Sequence, residues 1–253
     1  MRKHFQNFLL MIQFMTRIPI KLELPCSQED FKNGTAFFPL VGFTVGMIQW
    51  IVYIALMKIL PPKIVMLFVV LIGILITGAF HIDGFGDTCD GFFACKGKDK
   101  VIEIMKDSRV GAFACIAIVF NILFKYECMV ELLSSYDGFF IVGVPIIGRF
   151  SITILAALGV PAKESGTGNL FIRNIGKREF LISFITTIVL SSLFLGVVNT
   201  AIIIPLVFVV TFLFNRFCLH NIKGITGDSF GANNEIIEIF VLTVLLATAK
   251  VIL

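Results

Sequence analysis

Seven long apolar runs follow one another along the chain, and they constrain its fold more than any other feature. Several approach the roughly 20 residues that a helix needs to cross a bilayer. Backbone N–H and C=O groups in lipid must be paired within the protein, so each run is expected to be helical. Hydrophobic residues make up 57% of the chain and charged residues only 15%, which leaves too little polar surface for a soluble protein. The runs cover residues 36–60, 64–80, 112–133, 139–160, 180–198, 200–214 and 236–253.

This pattern predicts an all-α, polytopic integral membrane bundle of six or seven transmembrane helices, forming a single domain over residues 1–253. Residues 1–35 are interpreted as an N-terminal interfacial or re-entrant segment, because their apolar stretch lacks the flanks of a cleavable signal peptide. Of the 21 Lys and Arg residues, 16 lie before the first run or after the second, fourth and sixth. The positive-inside rule therefore predicts that these segments and the N-terminus face the cytoplasm.

An aspartate-rich segment, predicted as a cytoplasmic loop over residues 81–111, directly follows the second run. Asp83, Asp87 and Asp90 are spaced i, i+4 and i+7, which would place them on one face of a helix. Carboxylates this close to a membrane repel one another and are costly to desolvate unless a cation joins them. Oxygen ligands favour a hard ion such as Mg²⁺. These three residues are therefore candidate metal ligands, and the alternative is a solvated acidic loop.

Two further segments place polar side chains beside an apolar run. Lys106 and Arg109 have the chemistry to bind phosphate oxygens, and Asp107 between them is a candidate catalytic carboxylate. The alternative for this segment is a basic anchor at the membrane surface. Asp228 is a fourth candidate metal ligand, and Glu235, seven residues later, is a candidate substrate contact. The alternative there is a capped turn before the last helix.

Arg149 lies inside an apolar run and needs a partner for its guanidinium group. That partner could be a substrate phosphate or an aspartate, whereas a structural ion pair or a side chain reaching the interface would leave it without a functional role. His81, at the start of the aspartate-rich segment, is a further candidate substrate contact.

Taken together, these segments resemble the cobalamin synthase family of membrane enzymes, also called adenosylcobinamide-GDP ribazoletransferases. The most specific element is the string His-x-Asp-Gly-x-x-Asp-Thr-x-Asp-Gly at residues 81–91. The resemblance extends over nearly the whole chain, in residues 14–19, 38–42, 81–91, 105–111, 148–149, 159–162 and 226–235.

The resemblance implies that α-ribazole, or its 5′-phosphate, reacts with adenosylcobinamide-GDP to give adenosylcobalamin, or its 5′-phosphate, and GMP with the help of Mg²⁺. It also implies a multi-pass protein of a prokaryotic cytoplasmic membrane, with its active site facing the cytoplasm. In that chemistry Asp83, Asp87, Asp90 and Asp228 would hold the metal, and Asp90 would accept the proton of the attacking hydroxyl group. The substrate-binding residues would be His81, Lys106, Arg109, Arg149 and Glu235.

The expected partners are the two substrates and the lipid bilayer. A homo-oligomer, or a complex with other nucleotide-loop assembly enzymes, is left open. Because the basic residues are spread over several segments, no nucleic-acid partner is expected. The alternative functions are a CDP-alcohol phosphotransferase of lipid synthesis and an ion-coupled transporter. The first requires Asp-Gly-x-x-Ala-Arg, which the residues after Asp83 do not match, and the second usually shows an inverted repeat, which is not evident here.

Overall fold

The computed structural model describes residues 2–252, with side chains described for residues 3–249. Met1 and Leu253, the outer limits of the predicted domain, lie outside the described residues. The architecture is helical, which confirms the predicted all-α class; the one β contact of the described chain is an isolated bridge between Pro161 and Ile225. The helices, named α1 to α11, span Arg2–Met15, Gln28–Gly34, Phe38–Leu56, Pro62–Thr77, Phe80–Phe93, Lys98–Ile104, Ala112–Leu132, Phe140–Leu158, Lys177–Leu195, Val197–Ile222 and Gly227–Ile252.

Within the described residues, six helices are long and apolar enough to cross a membrane, namely α3 and α7 to α11. The α4–α5 pair supplies a seventh crossing when it is counted as one broken span, which confirms the predicted six or seven. The chain turns by 87° between α4 and α5. The turn arises because Gly78 and Ala79 both adopt left-handed backbone angles, with φ of 60° and 61°, and such residues end a right-handed helix.

Two predicted boundaries differ from the structure. The aspartate-rich segment, predicted as a loop over residues 81–111, is helical in α5 and again in α6. Its glycines lower helix propensity, but tight packing against neighbouring helices overrides that preference. The sixth apolar run, predicted to end at residue 214, continues as helix to Ile222, because a helix does not stop where its sequence turns polar.

Helix α8 forms the centre of the bundle, and every residue from Phe140 to Ala156 is buried. It is packed against α3, α9, α10 and α11. The contact with α3 is backbone to backbone: a Cβ added to Gly42 would lie 2.3 Å from the Pro145 carbonyl oxygen, and one added to Gly46 would lie 2.8 Å from the Val142 Cα. Rising positions on α3 meet falling positions on α8, so the two helices are antiparallel.

The longer connections meet at one end of the bundle, here called the loop-rich end and made up of residues 2–37, 78–111, 159–176 and 223–228. The Arg17 N–H donates to the Ile76 carbonyl at 2.6 Å, and the Ala162 N–H donates to the Ile225 carbonyl at 3.0 Å. The opposite end carries only short turns, where the Asn199 amide donates to the Tyr136 hydroxyl at 3.2 Å. All candidate site residues outside the helix interiors therefore belong to one end, and the side of the membrane that it faces stays a prediction.

A Gly42→Ala substitution is expected to destabilise the protein by about 1–3 kcal/mol, because neither backbone at this crossing can move to admit a methyl group. Thermal unfolding of the purified protein in detergent measures the loss. Gly97→Ala is the matched control, since an added Cβ there meets nothing within 4 Å. Equal unfolding temperatures for the two variants would contradict the close α3–α8 contact.

Candidate active site

The aspartates of α5 lie on one face of the helix at the loop-rich end. Asp83 is exposed, whereas Asp87 and Asp90 are half-buried. Helix α5 packs against α11 at Gly84, where an added Cβ would lie 2.9 Å from the Asp228 carbonyl oxygen. This close approach is possible only because Gly84 has no side chain. It brings the start of α11, with its own carboxylate, beside the aspartate face of α5.

Asp90 is bound to the beginning of α7. Its Oδ2 accepts the Gly111 N–H at 2.6 Å and its Oδ1 accepts the Ala114 N–H at 2.9 Å. The first N–H groups of a helix have no partner within the helix, and a carboxylate supplies both a hydrogen-bond acceptor and a favourable charge there. Both oxygens of Asp90 thus already accept hydrogen bonds. A role as base or metal ligand, as predicted, would compete with this capping of α7.

Asp87 accepts no hydrogen bond from the described part of the chain. The carboxylates of Asp83, Asp228 and Asp90 all act repulsively on Asp87, and Lys163 is the cation that opposes them. The Lys163 ammonium lies 3.8 Å from Asp228 Oδ2, and the Thr226 hydroxyl donates to the same oxygen at 3.1 Å. Four carboxylates with one nearby lysine leave this face with an excess of negative charge.

The donor set of this face suits Mg²⁺, which prefers carboxylate oxygens. Among the described residues, no three His, Cys, Asp or Glu side chains converge as a preformed metal cage. Mg²⁺ does not need one, because it keeps several waters and is usually held by one or two carboxylates together with substrate phosphates. Asp83, Asp87 and Asp228 therefore fit a metal that is completed by its substrate.

The segment from residue 105 to residue 111 is more exposed and holds a separate ion pair. The Arg109 guanidinium donates to Asp107 Oδ2 at 2.6 Å. The hydrogen bonds from this guanidinium group lower the pKa of Asp107 to about 2, and a hydrogen bond from the Arg109 backbone N–H is the next largest cause. Such a carboxylate is a weak base at neutral pH, so the predicted catalytic role of Asp107 would require Arg109 to leave it. Lys106 is exposed and faces a different cavity, described below.

Arg149 and Glu235 lie in the interior of the bundle and belong to a buried ionic network. Lys125 donates to Glu235 Oε2 at 2.7 Å and to Glu238 Oε2 at 2.6 Å. Arg149 donates to Glu238 Oε1 and, at 2.9 Å, to Asn234 Oδ1. Two cations and two carboxylates thus balance one another where α7, α8 and α11 meet.

Arg149 and Glu235 are predicted to contact substrate, but in the structure both side chains bind other residues of the protein. Their partner is the network itself, and Glu235 lies seven residues beyond Asp228, about 10 Å along the helix axis. The cavity beside them measures about 50 Å³, which admits a few waters but no nucleotide. His81 is also buried, and neither of its ring nitrogens has a hydrogen-bond partner among the described residues. The predicted substrate contact of these three residues stays a prediction.

Comparison with known proteins identifies the family. The model for cobalamin-5-phosphate synthase matches residues 7–246. This chain belongs to that family. Among curated relatives, the adenosylcobinamide-GDP ribazoletransferase of Clostridium tetani is 49% identical over 246 residues, covering 97% of this chain and 98% of the relative. Those of Clostridium kluyveri and Clostridium botulinum strain Okra are 46% and 44% identical, each over 97% of this chain and 98% and 99% of the relative.

No solved structure is significantly similar to this chain. The family assignment replaces the two alternative functions weighed from the sequence, the CDP-alcohol phosphotransferase and the transporter. It also agrees with the resemblance found in the aspartate string and its companion segments.

Three charged residues of this region were missed as candidates in the sequence. Lys125 and Glu238 lie within apolar helices, and isolated charges in such helices are a general signal of a buried partner. The only sequence signal for Lys163 is its place after the fourth apolar run. That place indicates which side of the membrane the lysine is on, but it does not indicate a contact with a carboxylate. Its position depends on the contact between the 159–176 segment and the start of α11.

A Lys125→Met substitution is expected to destabilise the folded protein by about 3–5 kcal/mol, because it leaves Glu235 charged and buried without a cation. Thermal unfolding in detergent measures the effect, with Lys96→Met, a change at an exposed lysine, as the control. The double variant Lys125→Met/Glu235→Gln should recover most of the loss, since it removes the uncompensated charge. A double variant as unstable as the single one would contradict the pairing.

Proposed function

We propose that the protein is an adenosylcobinamide-GDP ribazoletransferase. It joins adenosylcobinamide-GDP to α-ribazole, or to α-ribazole 5′-phosphate, and releases GMP. The relatives at 44–49% identity over nearly their whole length carry this name. The structural observation that supports the proposal is the excess of carboxylates around Asp87 at the loop-rich end, because a diphosphate ester and a divalent cation together complement such a face.

In this reaction the acceptor hydroxyl oxygen forms a bond to the phosphorus that carries the cobinamide group. The bond between that phosphorus and the bridging oxygen of the diphosphate breaks, and GMP leaves with the bridging oxygen. The hydroxyl proton passes to a base. Phosphoryl transfer of this kind depends mainly on positioning and on neutralising charge, which a rigid helix face lined with charged groups is suited to provide.

Asp83, Asp87 and Asp228 are the carboxylates we assign to Mg²⁺, which when bound would neutralise the diphosphate and the charge that develops on the departing GMP. Asp90 is better explained as the cap of α7 than as the base. Lys163, beside Asp228, would keep that carboxylate oriented.

We place the enzyme in the cytoplasmic membrane of a prokaryote, with the loop-rich end in the cytoplasm. The 16 basic residues near that end support this orientation through the positive-inside rule.

Asp83→Asn and Asp87→Asn are each expected to lower turnover by at least about a hundredfold, because each removes one negative charge from the metal-binding face. The assay supplies adenosylcobinamide-GDP, α-ribazole 5′-phosphate and Mg²⁺ to the purified protein and measures GMP. Asp99→Asn is the matched control, since it makes the same chemical change at an exposed aspartate of α6. Both variants should unfold at the wild-type temperature.

Full activity in Asp83→Asn would remove the metal assignment. A wild-type enzyme that releases no GMP with either acceptor would remove the proposed function.

The orientation can be tested with single-cysteine proteins. Cys95 is exposed at the loop-rich end, and Ser134 is exposed at the opposite end. With a membrane-impermeant maleimide, Ser134→Cys should react in intact cells, whereas Cys95 should react only after the membrane is opened. The reverse pattern would place the carboxylates outside the cell and contradict the proposal.

A further inference from the structure

A second polar cavity lies at the loop-rich end, next to the aspartate face. It measures about 250 Å³, which is five times the volume of the cavity beside the buried network. Its walls come from the 163–169 loop, from the start of α11 and from Lys106. The two lysines, Lys106 and Lys163, are its only cations among the described residues, and Asp228 is its one carboxylate.

The 163–169 loop is held in a defined shape that fixes the position of Lys163. The Asn169 side-chain amide donates to the Lys163 carbonyl at 3.1 Å, which closes the loop on itself. The loop then packs on α11 backbone to backbone, because a Cβ added to Gly168 would lie 2.7 Å from the Gly227 nitrogen. The bridge between Pro161 and Ile225 ties the same two segments together just before the loop. Lys163 is accordingly presented from a braced loop, with its side chain only 19% exposed.

The two lysines differ in whether a carboxylate of the protein lies close to the ammonium group. Lys163 is 3.8 Å from Asp228, a distance at which the pair attracts weakly and leaves ammonium protons free. Lys106 takes part in none of the salt bridges of the described chain. The cavity therefore carries two cations against one anion, whereas the adjoining face of α5 carries an excess of carboxylates.

Resting on the proposed function, we infer that this cavity, here called the lysine cavity, binds the 5′-phosphate monoester of the acceptor α-ribazole 5′-phosphate. A phosphate monoester carries a charge of about −1.5 to −2 at neutral pH, which two lysines would neutralise. Lysine is a good phosphate ligand because it acts as a compact point charge with three donors.

The diphosphate of the other substrate is the competing ligand for the lysine cavity. The diphosphate must lie where the reacting phosphorus meets the metal, and the carboxylates that suit a metal are on α5 and at Asp228. A monoester phosphate has no metal in this scheme and would be repelled by those carboxylates, so it needs cations of its own. Asp228 stands between the two sites, since it borders the lysine cavity and acts on Asp87. An acceptor held by its phosphate would thus have its ribose hydroxyls near the reacting phosphorus.

The test compares Lys106→Gln and Lys163→Gln with wild-type enzyme, and uses Lys96→Gln, at an exposed lysine outside the cavity, as the matched control. GMP release is measured while each substrate is varied in turn. The KM for α-ribazole 5′-phosphate should rise about tenfold or more in both cavity variants, the loss expected for one charge-assisted contact. In Lys106→Gln, which leaves the Asp228 contact intact, the KM for adenosylcobinamide-GDP should stay within about twofold, which is below the loss of one such contact.

A second arm replaces the acceptor by α-ribazole, which lacks the phosphate. The preference for the phosphorylated acceptor, as a ratio of kcat/KM values, should fall in both cavity variants and stay unchanged in Lys96→Gln. Lys163→Arg keeps the charge and should retain most of the preference. Unfolding temperatures in detergent show whether a variant has lost its fold, and Lys106→Gln, whose lysine is exposed, avoids the Asp228 contact altogether.

A rise in the KM for adenosylcobinamide-GDP in Lys106→Gln, or equal losses with both acceptors in both cavity variants, would overturn the inference, because the lysines would then serve the diphosphate or the fold. Those results would leave the proposed function standing, since GMP would still be formed. No GMP from wild-type enzyme with either acceptor would overturn the proposed function and the inference together.

Discussion

The close packing of α5 on α11 is the contact on which the rest of the site depends. It is made by glycines on both helices: an added Cβ at Gly84 would meet the Asp228 backbone, and one at Gly231 would lie 2.7 Å from the His81 carbonyl oxygen. Rising positions on α5 meet falling positions on α11, so the helices are antiparallel at the crossing. Glycine lowers helix stability, but here it allows the close packing that brings carboxylates of two distant segments to one face.

The buried ionic network stabilises the other end of the same contact. Lys125 and Arg149 join α7 and α8 to the two glutamates of α11. These glutamates follow the part of α11 that contacts α5, so the helix is held to its neighbours at both places. A buried ion pair is seldom a net gain in stability over apolar packing, but breaking one is costly. In a bundle whose core is otherwise mostly apolar, such a network specifies how the helices are rotated and shifted relative to one another.

Much of the fold was predictable because a segment that crosses lipid must be helical to pair its backbone groups. The length of each apolar run is then enough to locate the spans. The 87° turn at Gly78 and Ala79 was not predictable, because alanine gives no warning of a left-handed angle. The aspartates of α5 were found from their spacing, which holds in any helix. The partners of Arg149 and Lys163 were not, since they depend on which helices adjoin, and a single sequence does not reveal that.

Charge balance distinguishes the interior of the bundle from its loop-rich end. In the interior, two cations meet two carboxylates at hydrogen-bond distance and leave no net charge. At the loop-rich end, carboxylates crowd Asp87 on one side, and lysines prevail in the cavity on the other. Folding alone would favour pairing these groups, because like charges repel one another. Their separation into a negative face and a positive cavity matches the charges of the two proposed ligands, a cation for the first and a phosphate for the second.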